Sequence, residues 1–207
     1  MSDWTNNFFG GDESPLGTVA SNLGLRLIGE PTRGYQEDVP RGLPWALPLL
    51  AQGSEADLSE LMYGSFAGVD MQAFRFNLVT YRDDASSPAR SCVAFAFDAA
   101  FPTLTISPHN RLSLAQERDR SPFGQRYRVL GHDPDVVKLV LSDDLRVWLG
   151  RLTMPLRLEL GGGSLLGHVP AQPPERLANL VQTMYRIYLQ IPDDAWNRFG
   201  TGSRANG

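Results

Sequence analysis

Residues 92 to 98 constrain the fold more than any other stretch of this chain. In Cys92-Val93-Ala94-Phe95-Ala96-Phe97-Asp98 the large residues Val93, Phe95 and Phe97 alternate with the small ones Cys92, Ala94 and Ala96. Side chains alternate across an extended backbone, so the large set faces one way and the small set the other. Both sides are apolar, and that pattern belongs to a sheet covered on both faces, with something close-packed on the small side. Two layers over a sheet demand apolar mass. With 42% hydrophobic and 20% charged residues in 207, the chain supplies it, and disorder of the whole is excluded.

The neighbouring stretches extend the sheet. Leu25 to Ile28, Leu61 to Phe66 and Val69 to Tyr81 read as strands, the last two joined at Ala67-Gly68. A polar loop from Asp83 to Pro88 leads into residues 92 to 98. Leu104 and Ile106 mark a further short strand, and Tyr127 to Leu130 another. Short connections make this an antiparallel meander. Residues 29 to 48, rich in Pro and Gly, form an irregular connection with Trp45 embedded in it.

Helical signals flank the strands. Ser14-Pro15 and Asp133-Pro134 each place a capping side chain before a proline at the first helical position. Ser142 recaps a segment carrying Leu145, Trp148, Leu149 and Leu152, which Pro155 stops. Leu156, Leu158 and Leu160 alternate with polar residues, and Gly161-Gly162-Gly163 predicts a hairpin turn into Leu165 to Val169. From Pro173-Pro174 a single stripe runs through Leu177, Leu180, Val181, Met184, Ile187, Tyr188 and Ile191. The expected fold class is α+β: an antiparallel meander sheet, then a helix, a β-hairpin and a C-terminal helix packed on the sheet. The expected organisation is a flexible segment at 1–13, one domain at 14–199 and a flexible tail at 200–207.

Chemistry is harder to find. The glycines at 161–163 are followed by a strand and no lysine, so they do not form a phosphate loop. No G-x-S-x-G elbow and no metal-ligand spacing occurs, and no cofactor is expected. Cys92 lies in the doubly apolar strand, where a thiol is buried and inert. The acid pairs Asp83-Asp84, Asp143-Asp144 and Asp193-Asp194 fit a loop, a helix start and a turn respectively. A net charge of -4 without a basic block gives no case for nucleic acid.

Five residues remain as candidate binding positions. Phe8 and Phe9 form an aromatic pair in a polar amino-terminal stretch, and Trp45 lies in the irregular connection. His109 and Asn110 follow a strand in a polar loop, where ligand-binding residues gather.

Three stretches carry a resemblance. Gly64 to Leu78 pairs a glycine-containing strand with an aromatic one. Tyr127-Arg128-Val129 runs through Asp133-Pro134 to Leu141-Ser142-Asp143-Asp144-Leu145, and Leu156 to Val169 precedes the last helix. In these the chain resembles an uncharacterised actinobacterial family of α+β proteins over its C-terminal two thirds. The resemblance implies the fold and no activity, and it transfers no functional residue.

The functional expectation is a non-catalytic cytoplasmic accessory domain that binds a protein partner. The single cysteine suits a reducing compartment, and no apolar stretch is long enough to span a bilayer. The alternative is a small-molecule hydrolase with its site near His109. Oligomeric state is left open by these residues.

Overall fold

Capped prolines open the helices as the sequence predicts. In the computed structural model, which describes residues 14–29, 42–77, 88–109, 121–131 and 133–201, the Ser14 hydroxyl accepts the Gly17 N–H at 2.9 Å. It thereby caps α1 (Pro15–Asn22). Gly24, at φ 69°, turns the chain into β1 (Leu25–Gly29). Two single 3-10 turns, Leu50–Gln52 and Glu55–Asp57, precede β2 (Leu58–Phe66), β3 (Val69–Phe76) and β4 (Arg90–Pro108). Then come α2 (Pro122–Arg126), β5 (Tyr127–Gly131), α3 (Pro134–Val140), α4 (Asp143–Arg151) and β6 (Arg157–Pro170), with α5 (Pro174–Gln190) and α6 (Asp193–Phe199) closing the chain.

All pairings are antiparallel, in the order β1-β2-β3-β4-β5, with β6 on the opposite edge of β4. The α+β class with a meander and C-terminal helices on the sheet is therefore the one expected. At the β2–β3 turn Ala67 and Gly68 both have positive φ, the primed geometry that matches strand twist.

Two sequence expectations are corrected. Residues 92–98 and 104–106, read as separate strands, belong to the one 19-residue strand β4. The hairpin expected at Gly161–Gly163 does not form either, because residues 157–170 are the single strand β6. Its glycines serve a bend. The β4–β6 register shifts between Ala96 and Phe101 and again between Phe101 and Leu104, opposite Ser164 to Leu160. Gly162 takes φ 54° there, and a methyl group on Gly163 would overlap the Phe97 carbonyl oxygen. Glycine is required where strands cross that closely.

The bend is sharp. Glu159 and His168 lie nine positions apart on β6, roughly 30 Å along a straight strand. Their side chains nevertheless approach to 3.7 Å between Oε1 and Nε2, both 1% exposed.

The sheet is covered on both faces, as the alternation at 92–98 predicts. Val93, Phe95 and Phe97 meet the α5 stripe of Leu177, Leu180, Val181, Met184, Ile187 and Tyr188 in the larger core. Trp196 of α6 inserts there, with ring centroids 4.9 Å from Phe97 and 5.2 Å from Phe101. Asp193 and Asp194 occupy the first turn of α6 and not a turn after a final helix. Beyond α6, Gly200 bridges Ala99 and the Thr201 N–H donates to the Asp98 carbonyl at 3.0 Å. Residues 1–13 and 202–207, expected to be flexible, lie outside the described residues.

On the small face, Cys92, Ala94 and Leu166 are packed by Leu43, Leu47, Leu49 and Leu50. Buried polar groups pin this covering segment. The Leu49 N–H donates to Glu159 Oε2 at 2.9 Å, and Gln72 Nε2 donates to the Gly42 carbonyl at 3.1 Å. His168 sits opposite Cys92, and its Nδ1 has no hydrogen-bond partner among the described residues. Burial holds the His168 imidazole below its ordinary value, outweighing the attraction of the Glu159 carboxylate; Arg157 and Arg90 act with burial.

Two predictions follow from this packing. Gly163→Ala meets backbone, whereas Gly167→Ala meets the Met184 side chain, which is buried but adaptable. The first is expected to cost about 2–3 kcal/mol and the second about 1–2 kcal/mol in urea unfolding, and the reverse order contradicts the bend. For His168 the lowered folded value means the unfolded chain binds the proton first. Its contribution to stability is full above about pH 6.5 and is lost as pH falls from there toward the folded value. The urea midpoint of the native chain should therefore fall more between pH 7.5 and 5.5 than that of His168→Gln; equal falls would remove His168 as the cause.

Candidate functional site

Ser121-Pro122 repeats the capped-proline signal. The Ser121 hydroxyl accepts the Gly124 N–H at 3.0 Å and starts α2, whose five residues bury Phe123 and Gly124. Phe123 stacks on Tyr127 of β5 with centroids 5.5 Å apart. Gly150 lets α2 lie directly on α4, since a methyl there would sit 3.0 Å from the Phe123 backbone nitrogen. Arg126 fastens the same contact by donating to the carbonyls of Gly150 at 3.4 Å and Thr153 at 3.2 Å. A cation at the last carbonyls of α4 also complements the helix dipole.

On the other side, Asp133 caps α3 through the Asp135 N–H at 2.8 Å, and Ser142 caps α4 through the Leu145 N–H at 3.3 Å. Between α2 and the α3–α4 pair runs a groove of about 730 Å³. Phe123, Leu141 and Val147 supply its apolar lining, and Lys138, Arg146 and Arg151 its charge. Val147 is 51% exposed, one of three large apolar side chains so placed among the described residues. Asp143 is the acid among the lining residues, and it lies in the first turn of α4, where the helix dipole favours it.

Arg146 is held in place. Its Nε donates to the Leu141 carbonyl at 3.1 Å and its guanidinium lies 5.5 Å from the Phe123 ring centroid. Among the described residues none of Lys138, Arg146 and Arg151 pairs with a carboxylate. The groove thus offers cations that pair with no carboxylate among the described residues, beside exposed Pro122 and Val147, in the volume range of pockets that bind ligands.

Of the positions singled out from sequence, Trp45 and His109 are described, and neither lines the groove. Trp45 is half-buried against the cluster on the small face of the sheet. His109 is half-buried at the end of β4. Its N–H donates to the Arg126 carbonyl at 2.9 Å, and its Nε2 lies 3.0 Å from the Gly124 carbonyl. A carbonyl only accepts, so Nε2 carries the proton and the ring ties α2 to the sheet. Phe8, Phe9 and Asn110 lie outside the described residues, as does His132. Cys92 is fully buried, and burial first, then the Glu159 carboxylate, pushes its thiol far above the usual range. Tyr127 is also buried, and burial raises its phenol against the opposing charge of Arg126. No three His, Cys, Asp or Glu side chains gather to hold a metal ion among the described residues.

The groove residues escaped the sequence reading, which followed Leu145, Trp148, Leu149 and Leu152 on the buried side of α4. Arg146, Val147 and Arg151 lie between those positions. A signal was present in Ser121-Pro122, the same residue pair that opens α1.

No protein-family model matches the sequence, and no curated protein matches it. Among solved structures, the crystal structure of the mycobacterial trehalose monomycolate transport factor A, TtfA, is similar with a TM-score of 0.59. The superposition covers 88% of this chain and 92% of that one at 9% sequence identity. The likeness is one of fold.

Proposed function

We propose that this chain is a non-catalytic accessory domain that binds a protein partner through the groove between α2 and α3–α4. The observation that carries the reading is the exposed Val147 among three cations that pair with no carboxylate among the described residues, on a part of the molecule whose backbone is firmly capped and packed. Arginine is enriched at protein interfaces, and here an ordered one stands beside exposed Pro122 and Val147. Likeness in fold to a protein described as a transport factor accords with an accessory role.

A hydrolytic reading through His109 asks for a nucleophile or a second titratable group beside the ring. Among the described residues the ring reaches the Gly124 carbonyl instead. Cytoplasm is the proposed compartment, supported by the single, buried cysteine. No helix among the described residues is long and apolar enough to cross a membrane.

The test is site-specific photocrosslinking in the cells that make the protein. With p-benzoylphenylalanine at position 147, the chain should form a discrete covalent adduct with a second protein, and with the crosslinker at exposed Ser65 it should not. Val147→Asp should reduce co-purification of that protein by about ten-fold. Adducts from position 65 alone, or co-purification undiminished by Val147→Asp, would overturn the reading.

A further inference from the structure

The chemistry of the groove narrows the kind of partner it accepts. Arg146 and Arg151 stand five positions apart on α4, about 7.5 Å along the helix axis. Lys138 contributes a third cation from α3. A single phosphate or carboxylate needs donors that converge on one point. These cations instead come from two helices and line the groove beside exposed Pro122 and Val147, with Phe123 and Leu141 buried beneath. Distributed charge beside exposed apolar side chains matches a polymer that carries both features at intervals, such as an amphipathic peptide with acidic flanks.

Two other stretches of the sequence bear on the choice. Residues 110–120, which lead into Ser121, hold Arg111, Arg118 and Arg120 against Glu117 and Asp119, so their net charge has the same sign as the groove. Residues 1–13 hold Asp3, Asp12 and Glu13 with Trp4, Phe8 and Phe9, and are the one stretch of this chain resembling the complement. They are a competitor that the experiment has to separate from a partner.

We infer that the α2–α4 groove is a receptor for an acidic amphipathic helix of a partner protein, its apolar side chains on Pro122 and Val147 and its carboxylates toward Lys138, Arg146 and Arg151. This rests on the protein-binding reading above and specifies its ligand. Arg146 is the anchor of the arrangement. Its orientation is set before binding by the Leu141 carbonyl and the Phe123 ring, so little side-chain freedom is lost when a carboxylate arrives. Lys138 and Arg151 are exposed and add to the rate of encounter.

The probe is a fluorescein-labelled peptide of about eighteen residues, glutamate-rich, with leucines at i, i+3, i+4 and i+7. Fluorescence anisotropy with the full chain should show saturable binding that weakens about ten-fold or more when salt rises from about 0.05 to 0.5 M. The same peptide with lysine for glutamate should not bind, nor should one with serine for leucine. Arg151→Glu and Lys138→Glu, both at exposed positions and checked for unchanged thermal unfolding, should each weaken binding several-fold. Equal affinity for the lysine peptide or for the leucine-free peptide would overturn the inference, as would displacement by a peptide of residues 1–13, which would assign the groove to the chain itself. A partner crosslinked from position 147 with no binding of the acidic probe would also overturn it, while leaving the protein-binding reading intact.

Discussion

Two neighbouring strands of 19 and 14 residues cannot run straight through a chain of this size, and the bend they adopt together governs most of the rest. A straight 19-residue strand would extend about 60 Å. Register slips at Ala96, Phe101 and Leu104, with Gly162 and Gly163 opposite, turn both strands together. The first half of β4 is thereby flanked by β3 and β6, and its second half by β5 and β6. One ribbon carries two sheet edges, with the meander at one end and the α2–β5 unit at the other.

The same bend brings Glu159 to His168 and closes the small face over them. A carboxylate and an imidazole removed from water are costly unless satisfied. Glu159 recovers part of that cost through the Leu49 N–H, a charge-assisted hydrogen bond that also fixes the covering segment. His168 recovers less, with neither ring nitrogen hydrogen-bonded among the described residues and Nε2 3.7 Å from Glu159. The pair is therefore better understood as fixing where the segment at 42–58 lies than as a source of net stability. Apolar contacts of Leu43, Leu47 and Leu50 supply the attraction, and Glu159 supplies the register.

How much of this was legible in sequence depends on whether the signal is local. The two covered faces could be read from Cys92 to Phe97, because period-two alternation is a property of adjacent residues. The helix starts at Pro15 and Pro134 and the stripe of α5 were legible for the same reason. The strand bend was not. Three consecutive glycines satisfy a tight turn and a close strand crossing equally well, and only the Phe97 carbonyl, some sixty residues away in sequence, decides between them. The pairing of Glu159 with His168 is hidden by the same non-locality. The groove was missed because attention to buried periodicity on α4 passes over the residues between the buried ones, and because α2 is too short to show any period. His109 drew notice as a polar loop histidine, but its ring closes a structural contact with α2, a role that residue type alone does not distinguish from catalysis.

The groove gains its definition from how little its helices can do alone. Helices of five, seven and nine residues are far below the length at which an isolated helix persists in water. Each has a side-chain cap, but caps contribute only about 1 kcal/mol apiece and do not set relative position. Position comes from contacts that reach back to the ribbon. Phe123 stacks on Tyr127 of β5, His109 holds Gly124 from the end of β4, and Arg126 grips the carboxyl end of α4. Gly150 removes the one side chain that would keep α2 and α4 apart. The two walls of the groove are thus both referenced to the far end of the β4–β5–β6 sheet. A surface built this way is ordered before anything binds, so contacts made there are not offset by the entropy of arranging it.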